Sequence, residues 1–527
     1  MRRVNDRVAL WSSRLNPPPW LGDALGGVML GLMFLPSPLA VLAPLPLAML
    51  HHRLAHSTAG WGAFRHAFAF ALAFFGVHLA WLPISMAAVL GPLGGLLTVL
   101  VLPAAALTWA VPLTLTRVAF GPRTLLALPL AWVLLEALRT QGPLAFPWGA
   151  PGYALIQTPL AQLASIGGAA LLTLLVTGTA SVLAGLGGSR PPVLLMGLAV
   201  WGAGLVWGRE VTPPITPAPR TAVLVQGAID PRLKAQGRTL NEFQIYLDLT
   251  RRALRSGEAD LAVWPETASP LPASDPGVLP ALRGLGVPLL LGAPGDVPGQ
   301  ARNSAYGVDG EVTGRQDKRV LVPFGERLPF SGVLGGLYTP VLRSLGMAGY
   351  TSLTPGRLLN VLPVRDLRAG VSICYESVFG QLSRQAVRAG ANLLVVLSND
   401  AWFGQGAGAE QHFQMGRLRA IETRRFLLRA GNDGVSAVID PWGQVRFRAP
   451  RGARGAYRVT FDLSTIRTPF VLYGNWVVWA SALALLMAGA RLIRNPGISL
   501  RPISSQALDT RADHGERCQS TGPLYGR

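Results

Sequence analysis

Long apolar runs with almost no charge dominate the first 208 residues, and nothing else constrains the folding of this chain as strongly. Seven such segments, 21–35, 38–50, 67–87, 93–116, 124–138, 161–186 and 193–208, precede a mixed region at 220–468, and an eighth, 470–490, follows it. A backbone in hydrocarbon must satisfy its own polar groups, so these segments read as helices, and about 20 apolar residues cross a bilayer. The first two are short and are split by Pro36-Ser37-Pro38. They form either two tilted helices or a re-entrant hairpin, and both choices return the chain to the same side. With 50% hydrophobic and only 14% charged residues, the composition excludes an ordinary soluble protein of 527 residues.

A net charge of +20 raises the question of nucleic acid. The arginines are scattered and no nucleic-acid motif accompanies them, so basic flanks of membrane spans explain the charge, and no nucleic-acid partner is expected. Placing the N-terminus in the cytoplasm puts Arg2, Arg3, Arg7 and Arg14, then Arg53, Arg65, Arg117, Arg123 and Arg190, and finally Arg491, Arg494 and Arg501 inside. The outer connectors, 36–37, 88–92 and 139–160, carry only Arg139. Seven crossings then deliver 209–469 to the outer, periplasmic face of the cell membrane, and the eighth returns the C-terminus to the cytoplasm. Met1-Arg2-Arg3 resembles a signal n-region, yet no small-residue cleavage pattern follows, so it is expected to be retained. Two cysteines, Cys374 and Cys518, make no disulfide framework, and Cys518 falls in a polar tail, 495–527, read as cytoplasmic and disordered.

The outer region alternates short apolar runs with helical patterns. Thr221–Gln226, Leu261–Trp264, Pro288–Gly292, Gly370–Cys374, Asn392–Ser398 and Val435–Ile439 read as strands covered on both faces. Leu240–Arg255 and Ala409–Leu428 read as helices, the second with a solvated or salt-bridged face at Arg417, Arg419, Glu422, Arg424 and Arg425. An α/β layered domain follows, joined to the membrane part through a proline-rich linker at 212–219.

Three candidate sites stand at the ends of these strands, where α/β sheets place their chemistry. Glu266 follows a strand in Trp264-Pro265-Glu266. Lys318 opens the string Lys318-Arg319-Val320-Leu321-Val322-Pro323-Phe324-Gly325-Glu326. Cys374 leaves a strand in Ser372-Ile373-Cys374-Tyr375-Glu376. Alone, each has an ordinary reading: a strand-end cap, a surface lysine, a small buried hydrophobe. Together, a thiol, a carboxylate and an ammonium make the set that activates a nucleophile, since a nearby lysine lowers a thiol's pKa and stabilises an oxyanion.

Val-Trp-Pro-Glu266, Lys318 and Ile-Cys374-Tyr-Glu resemble the Glu-Lys-Cys triad of the nitrilase, or carbon–nitrogen hydrolase, superfamily, with spacings of 52 (266 to 318) and 56 (318 to 374) that suit it. More narrowly, 321–326 (LVPFGE), 398–404 (SNDAWFG), 411–415 (QHFQM), 429–434 (RAGNDG) and Phe146-Pro147-Trp148 resemble bacterial apolipoprotein N-acyltransferases. The resemblance covers nearly the whole chain, to residue 494. It departs after Leu233-Lys234, where family members often carry tryptophan and Ala235 stands here.

The resemblance implies a polytopic α-helical membrane bundle of about eight spans carrying an extracytoplasmic, nitrilase-like four-layer αββα sandwich. It implies N-acylation of the diacylglyceryl cysteine of an apolipoprotein, with a phospholipid acyl donor and a thioester on Cys374. Glu266 would serve as base, and Lys318 would hold the oxyanion. Glu326 would orient Lys318, Tyr375 and Glu376 would shape the pocket or steer the amine, and Asn399, Trp402, His412 and Trp148 would support the site or bind substrate. No cofactor is implied, and the seven histidines do not pair with Cys or Asp at metal-ligand spacing, so no metal is expected. The apolar stretch 328–350 is either a membrane-facing arm or a helix packed on the domain core. A membrane-tethered amidase with the same triad, and an inert scaffold, are the alternatives.

Overall fold

The computed structural model describes residues 18–35, 38–185, 199, 201–208, 219–230, 239–347, 349–404 and 406–494. Pro36 and Ser37, linker residues 212–218, Ala235, Cys518 and the tail 495–527 lie outside the described residues, as does most of 193–200.

The membrane part is built of α1 (Pro19–Leu32), α2 (Pro44–His56), α3 (Trp61–His78), α4 (Trp81–Val99), α5 (Val101–Phe120), α6 (Thr124–Arg139) and α7 (Ala164–Ala184). Small residues let these helices approach closely: a Cβ on Gly27 would lie 2.1 Å from the Phe70 carbonyl oxygen, so α1 and α3 touch through their backbones. Among the described residues, two helical stretches, 91–139 and 159–184, are long and apolar enough to cross a membrane. A third counts if the pair 61–78 and 81–87, bent by 52°, is one span. Gly121 (φ 48°) interrupts the first stretch, and α5 packs against α6.

That bend separates the structure from the single run expected at 67–87. Hydropathy is blind to it, because its cause is a contact far away in sequence. Trp81 donates its indole N–H to Gln411 Oε1 (3.0 Å), and the Ser85 hydroxyl donates to the Phe403 carbonyl (2.7 Å). The start of α4 is therefore held by the domain at 220–468.

The domain at 220–468 contains two six-stranded sheets. The first has the order β12-β1-β2-β3-β4-β5, from β1 (Arg220–Gln226), β2 (Leu261–Val263), β3 (Leu289–Pro294), β4 (Asn303–Asp309), β5 (Glu311–Asp317) and β12 (Gly455–Phe461). The second has the order β11-β10-β9-β8-β7-β6, from β6 (Leu362–Val364), β7 (Leu367–Ile373), β8 (Leu393–Ser398), β9 (Leu427–Gly431), β10 (Ala437–Ile439) and β11 (Val445–Arg448). Each sheet has a parallel centre, β1-β2-β3 and β7-β8-β9, flanked by antiparallel edges.

Val263 and Leu290 of the first sheet share one core with Ile373, Leu397 and Leu428 of the second. The outer faces are covered by α8 (Thr239–Leu254) and α9 (Leu279–Arg283) on one side. On the other lie α11 (Gly380–Arg388) and α12 (Gly408–Thr423). The order of layers is αββα, the nitrilase-like arrangement. The near-continuous apolar runs follow directly, because every central strand is covered twice.

The expected helix 409–428 is too long. Arg424 adopts a left-handed conformation (φ 53°) that ends α12 at Thr423, and Leu427 already belongs to β9. Of the two readings of its charged face, solvated or salt-bridged, the second holds for Arg419 and Glu422. Arg419 and Glu422 are buried and paired at 3.2 Å, and Glu422 accepts the Ala169 N–H (3.1 Å) of α7. Arg424 reaches Gln162 Oε1 (2.6 Å) in the connector before α7. These charges join the two parts of the molecule.

Between the sheets' edges runs α10 (Ser331–Ser344), none of whose residues is buried; Val333 is 88% exposed. Of the two options for 328–350, packing against the domain core is not what the chain does. The last described elements are α13 (Pro469–Tyr473) and α14 (Trp476–Arg494), which divide the expected 470–490 run between them at Gly474, and α14 is among the shorter apolar helices.

Candidate active site

Three strand ends converge. Glu266 follows β2, Lys318 follows β5, and Cys374 follows β7. The turn at Glu266 is tight: Gly292 donates to the Pro265 carbonyl (3.2 Å), and a Cβ on Gly292 would lie 2.6 Å from Glu266 Cα. The strand therefore needs glycine there for want of space.

The side chains form one buried hydrogen-bonded set. Lys318, 1% exposed, donates from Nζ to Glu266 Oε1 (3.0 Å) and to Glu326 Oε1 (2.7 Å). Asn303 Nδ2 donates to the same Glu266 oxygen (2.7 Å), and the Asn399 N–H donates to Glu266 Oε2 (3.1 Å). Glu326 also accepts the Val322 N–H (2.9 Å) through its second oxygen. Burial alone lowers the lysine pKa. The carboxylates of Glu266 and Glu326, with the Cys374 sulfur beyond them, overturn this and hold it well above the ordinary value.

Cys374 sits at the start of a 3-10 turn, Cys374–Val378, with φ 50°. A left-handed non-glycine residue costs on the order of 1–3 kcal/mol and persists only where its surroundings enforce it. Here the enforcement is visible. Glu376 Oε2 accepts the Ile373 N–H (2.9 Å), and its Oε1 accepts the N–H groups of Arg319 (2.6 Å) and Val320 (3.2 Å). Burial raises the Glu376 pKa even against these three donors. Glu376 thus ties the thiol's turn to the backbone after Lys318, with both carboxylate oxygens engaged.

Behind the turn, His412 Nε2 lies 3.0 Å from the Cys374 carbonyl oxygen and 3.0 Å from Ser377 Oγ, and Nδ1 lies 2.9 Å from Asp400 Oδ1. Arg429 pairs with Asp400 (2.8 Å). Burial would raise the Asp400 pKa, but Arg429 and His412 hold the carboxyl well below its ordinary range. In front, Tyr375 donates its hydroxyl to the Ala145 carbonyl (2.5 Å) and stacks on Trp148 (5.7 Å, 11°). Trp148 is buried, and its indole N–H has no hydrogen-bond partner among the described residues. Trp402, in the turn Asp400–Phe403, has 45% of its surface exposed and is not part of the buried cluster.

Lys318 lowers the thiol's pKa, as expected of a lysine beside it, but burial first and then the Glu266 carboxylate raise it more, so the net shift is upward and the resting sulfur is a neutral thiol. Such a site does its proton transfer during attack, from sulfur to the adjacent carboxylate.

Asn303, Asp400, Arg429 and Asn432 escaped the reading of the sequence. Asn432 donates to Asn399 Oδ1 (3.1 Å) and links the β9 end to the Glu266 loop. Asp400, Arg429 and Asn432 lie inside strings already singled out, and a buried polar residue near a nucleophile was the available signal. Asn303 had none. Among the described residues no group of three or more His, Cys, Asp or Glu is placed to hold a metal ion.

Comparison with known proteins agrees with this architecture. The pattern of the family described as Carbon-nitrogen hydrolase matches residues 222–468, and that of the Apolipoprotein N-acyltransferase N-terminal domain matches 26–182. An apolipoprotein N-acyltransferase of Azotobacter vinelandii is 34% identical over 92% of this chain and 96% of its own. One from Geobacter metallireducens is 32% identical over 91% of this chain and 96% of its own. A crystal structure of an amidase from Nesterenkonia sp. is similar over 51% of this chain and 98% of its own, with 20% identity and a TM-score of 0.38. An N-terminal part and a carbon–nitrogen hydrolase part matched in one chain, with relatives 32–34% identical over about nine-tenths of it, mean that this chain belongs to the apolipoprotein N-acyltransferase family.

Proposed function

We propose that this chain transfers an acyl group from a phospholipid to the free α-amine of a diacylglyceryl cysteine at the N-terminus of an apolipoprotein, by way of a thioester on Cys374. The observation that carries the reading is the buried contact of Lys318 with Glu266 (3.0 Å) beside a strained cysteine on a strand end. Glu266, Lys318 and Cys374 act as base, oxyanion holder and nucleophile.

In the first half-reaction Glu266 takes the thiol proton as sulfur attacks the ester carbonyl. The bond to the glycerol oxygen breaks, that oxygen takes the proton, and lysophospholipid leaves. In the second, the lipoprotein amine attacks the thioester, the C–S bond breaks, and the proton lost by nitrogen returns through Glu266 to sulfur. Lys318 and a backbone N–H near Cys374 stabilise the negative oxygen in both steps, the term that usually dominates acyl transfer. Glu326 keeps the ammonium aimed. Tyr375 and Trp148, buried and stacked beside the thiol's turn, help to exclude water, which matters because hydrolysis of the thioester would discard the acyl chain.

Both substrates are lipids, and the geometry suits them. We place 1–208 (seven spans) and 470–490 in the inner membrane, 220–468 on the periplasmic face, and the termini, including 495–527, in the cytoplasm. This orientation rests on the distribution of arginine. The exposed apolar surface of α10, with Phe324, Phe330, Val333 and Leu337, serves as an arm dipping into the outer leaflet and gating entry. The test is transfer from phospholipid to a diacylated lipopeptide, read by mass spectrometry. An added acyl mass on the free-amine peptide and none on an amine-blocked one is expected. Release of free fatty acid with no product peptide would favour a hydrolase instead.

A further inference from the structure

Arg139 is the one basic residue of the outer connectors, which makes it the exception to an otherwise regular charge distribution. It is also buried, at the end of α6, together with Glu136. Burying an ion pair at a membrane edge is costly and contributes little net stability, so a pair kept there calls for another use.

The contacts supply one. Arg139 Nη1 donates to both Glu136 oxygens (3.0 and 2.8 Å), and Trp109 Nε1 donates to Glu136 Oε1 (3.1 Å) from α5. The other arm, Nη2, donates to the Trp148 carbonyl (2.6 Å), while the Arg139 carbonyl accepts the Phe146 N–H (2.8 Å). One residue therefore closes the loop 140–148 at two points. That loop carries the Ala145 carbonyl that takes the Tyr375 hydroxyl and the Trp148 ring that stacks on Tyr375. Tyr375 is bonded directly to Cys374.

We propose that Arg139, anchored by Glu136, is a positioning residue for the acyl transfer: it fixes the 140–148 loop, and through the Tyr375 clasp it sets the nucleophile's turn against the membrane helices that present the phospholipid. This rests on Cys374 being the acylated residue. A guanidinium holds the carboxylate with one arm and the carbonyl with the other from fixed, coplanar positions; an ammonium in its place keeps the charge and loses the fork. The proposal thus separates geometry from charge.

The test uses the full-length protein in detergent–phospholipid micelles, with single-turnover acyl-enzyme formation followed by intact mass. Arg139→Lys is expected to slow acylation at saturating phospholipid on the order of 10- to 100-fold, with half-saturation nearly unchanged, the pattern of a misplaced nucleophile. Glu136→Gln is expected to fall between it and wild type. If Arg139 acts through the clasp, Arg139→Ala and Tyr375→Phe together lose no more than the larger single loss. Wild-type acylation by Arg139→Lys, a rise in half-saturation at unchanged maximal rate, or losses that multiply in the double variant would each overturn the proposal. Thermal melting is recorded throughout, and if Arg139→Ala does not fold, the Lys and Gln variants decide, with Arg139→Lys/Tyr375→Phe as the double. An acyl adduct that persists in Cys374→Ser would instead sink the nucleophile assignment.

Discussion

Replacing Glu326 by Gln is the most informative single change, because it leaves the shape of the site intact. Glu326 presents one oxygen to Lys318 Nζ (2.7 Å) and the other to the Val322 N–H (2.9 Å), both donors. An amide has only one acceptor oxygen, so one donor must face an NH2 group. A hydrogen bond to a charged group contributes about 1.5–3 kcal/mol. The Glu326 side chain is 18% exposed, so water recovers part of it and the lower half of that range applies. If the lost bond is the one to Lys318, the ammonium turns fully onto Glu266 and competes with the thiol proton for that carboxylate. At about 1.4 kcal/mol per decade, acyl-enzyme formation is expected to slow roughly 10-fold or more, with melting lowered only modestly. Single-turnover acylation by mass, beside thermal unfolding, measures both. Wild-type acylation with unchanged melting would refute the role of Glu326 as the holder of Lys318.

Gly292→Ala puts a methyl 2.6 Å from Glu266 Cα and Thr267 N, and overpacking against backbone is expected to cost about 1–3 kcal/mol and displace Glu266, read as lost activity with lowered melting. Asp400→Asn leaves buried Arg429 without its charge partner, an expected loss of about 3–5 kcal/mol in unfolding measurements. The Asp400 carboxyl is held below its ordinary 3.8, so its contribution is present above that value and is lost only as pH falls through the folded pKa; between pH 5 and 8 the gap between wild type and variant should stay constant. Cys374 shifts the other way, above its ordinary 9.0, so alkylation by iodoacetamide at pH 8 should be slower than for free cysteine and still rising at pH 10; a plateau below pH 8 would contradict a neutral resting thiol. Leu337→Asp with Leu342→Asp on α10 should reduce transfer from membranes while leaving melting within about 0.5 kcal/mol, since neither residue is buried; general unfolding would exclude the arm.

The sequence carried the parts of the fold that depend on one-dimensional signals. Apolar runs marked β1, β2, β3, β7, β8 and β10, because a strand covered on both faces has no polar register to hide it. The edge strands β5 (EVTGRQD) and β11 (VRFR) were invisible for the converse reason: their exposed faces carry charge and glycine. The end of α12 is hidden in the sequence because Arg424 looks like a helix former, and only its left-handed backbone shows otherwise. Glu266, Lys318 and Cys374 were legible as residue types at strand ends, but their meeting depends on the stacking of two sheets. Glu136 and Arg139 illustrate the limit. Three residues apart at a helix end, they carry no sign of burial in the sequence, and that burial follows from a loop folding back from residue 148.

The central claim is that one sulfur carries the acyl group. Incubating the purified chain with phospholipid in the absence of lipopeptide, then digesting and sequencing the peptides by mass, tests it directly. The expected result is a thioester-linked acyl chain on the peptide containing Cys374, discharged by a free-amine lipopeptide and missing in Cys374→Ser. Product formation by the Cys374→Ser protein, or acylation at any other residue on the route to product, would contradict it.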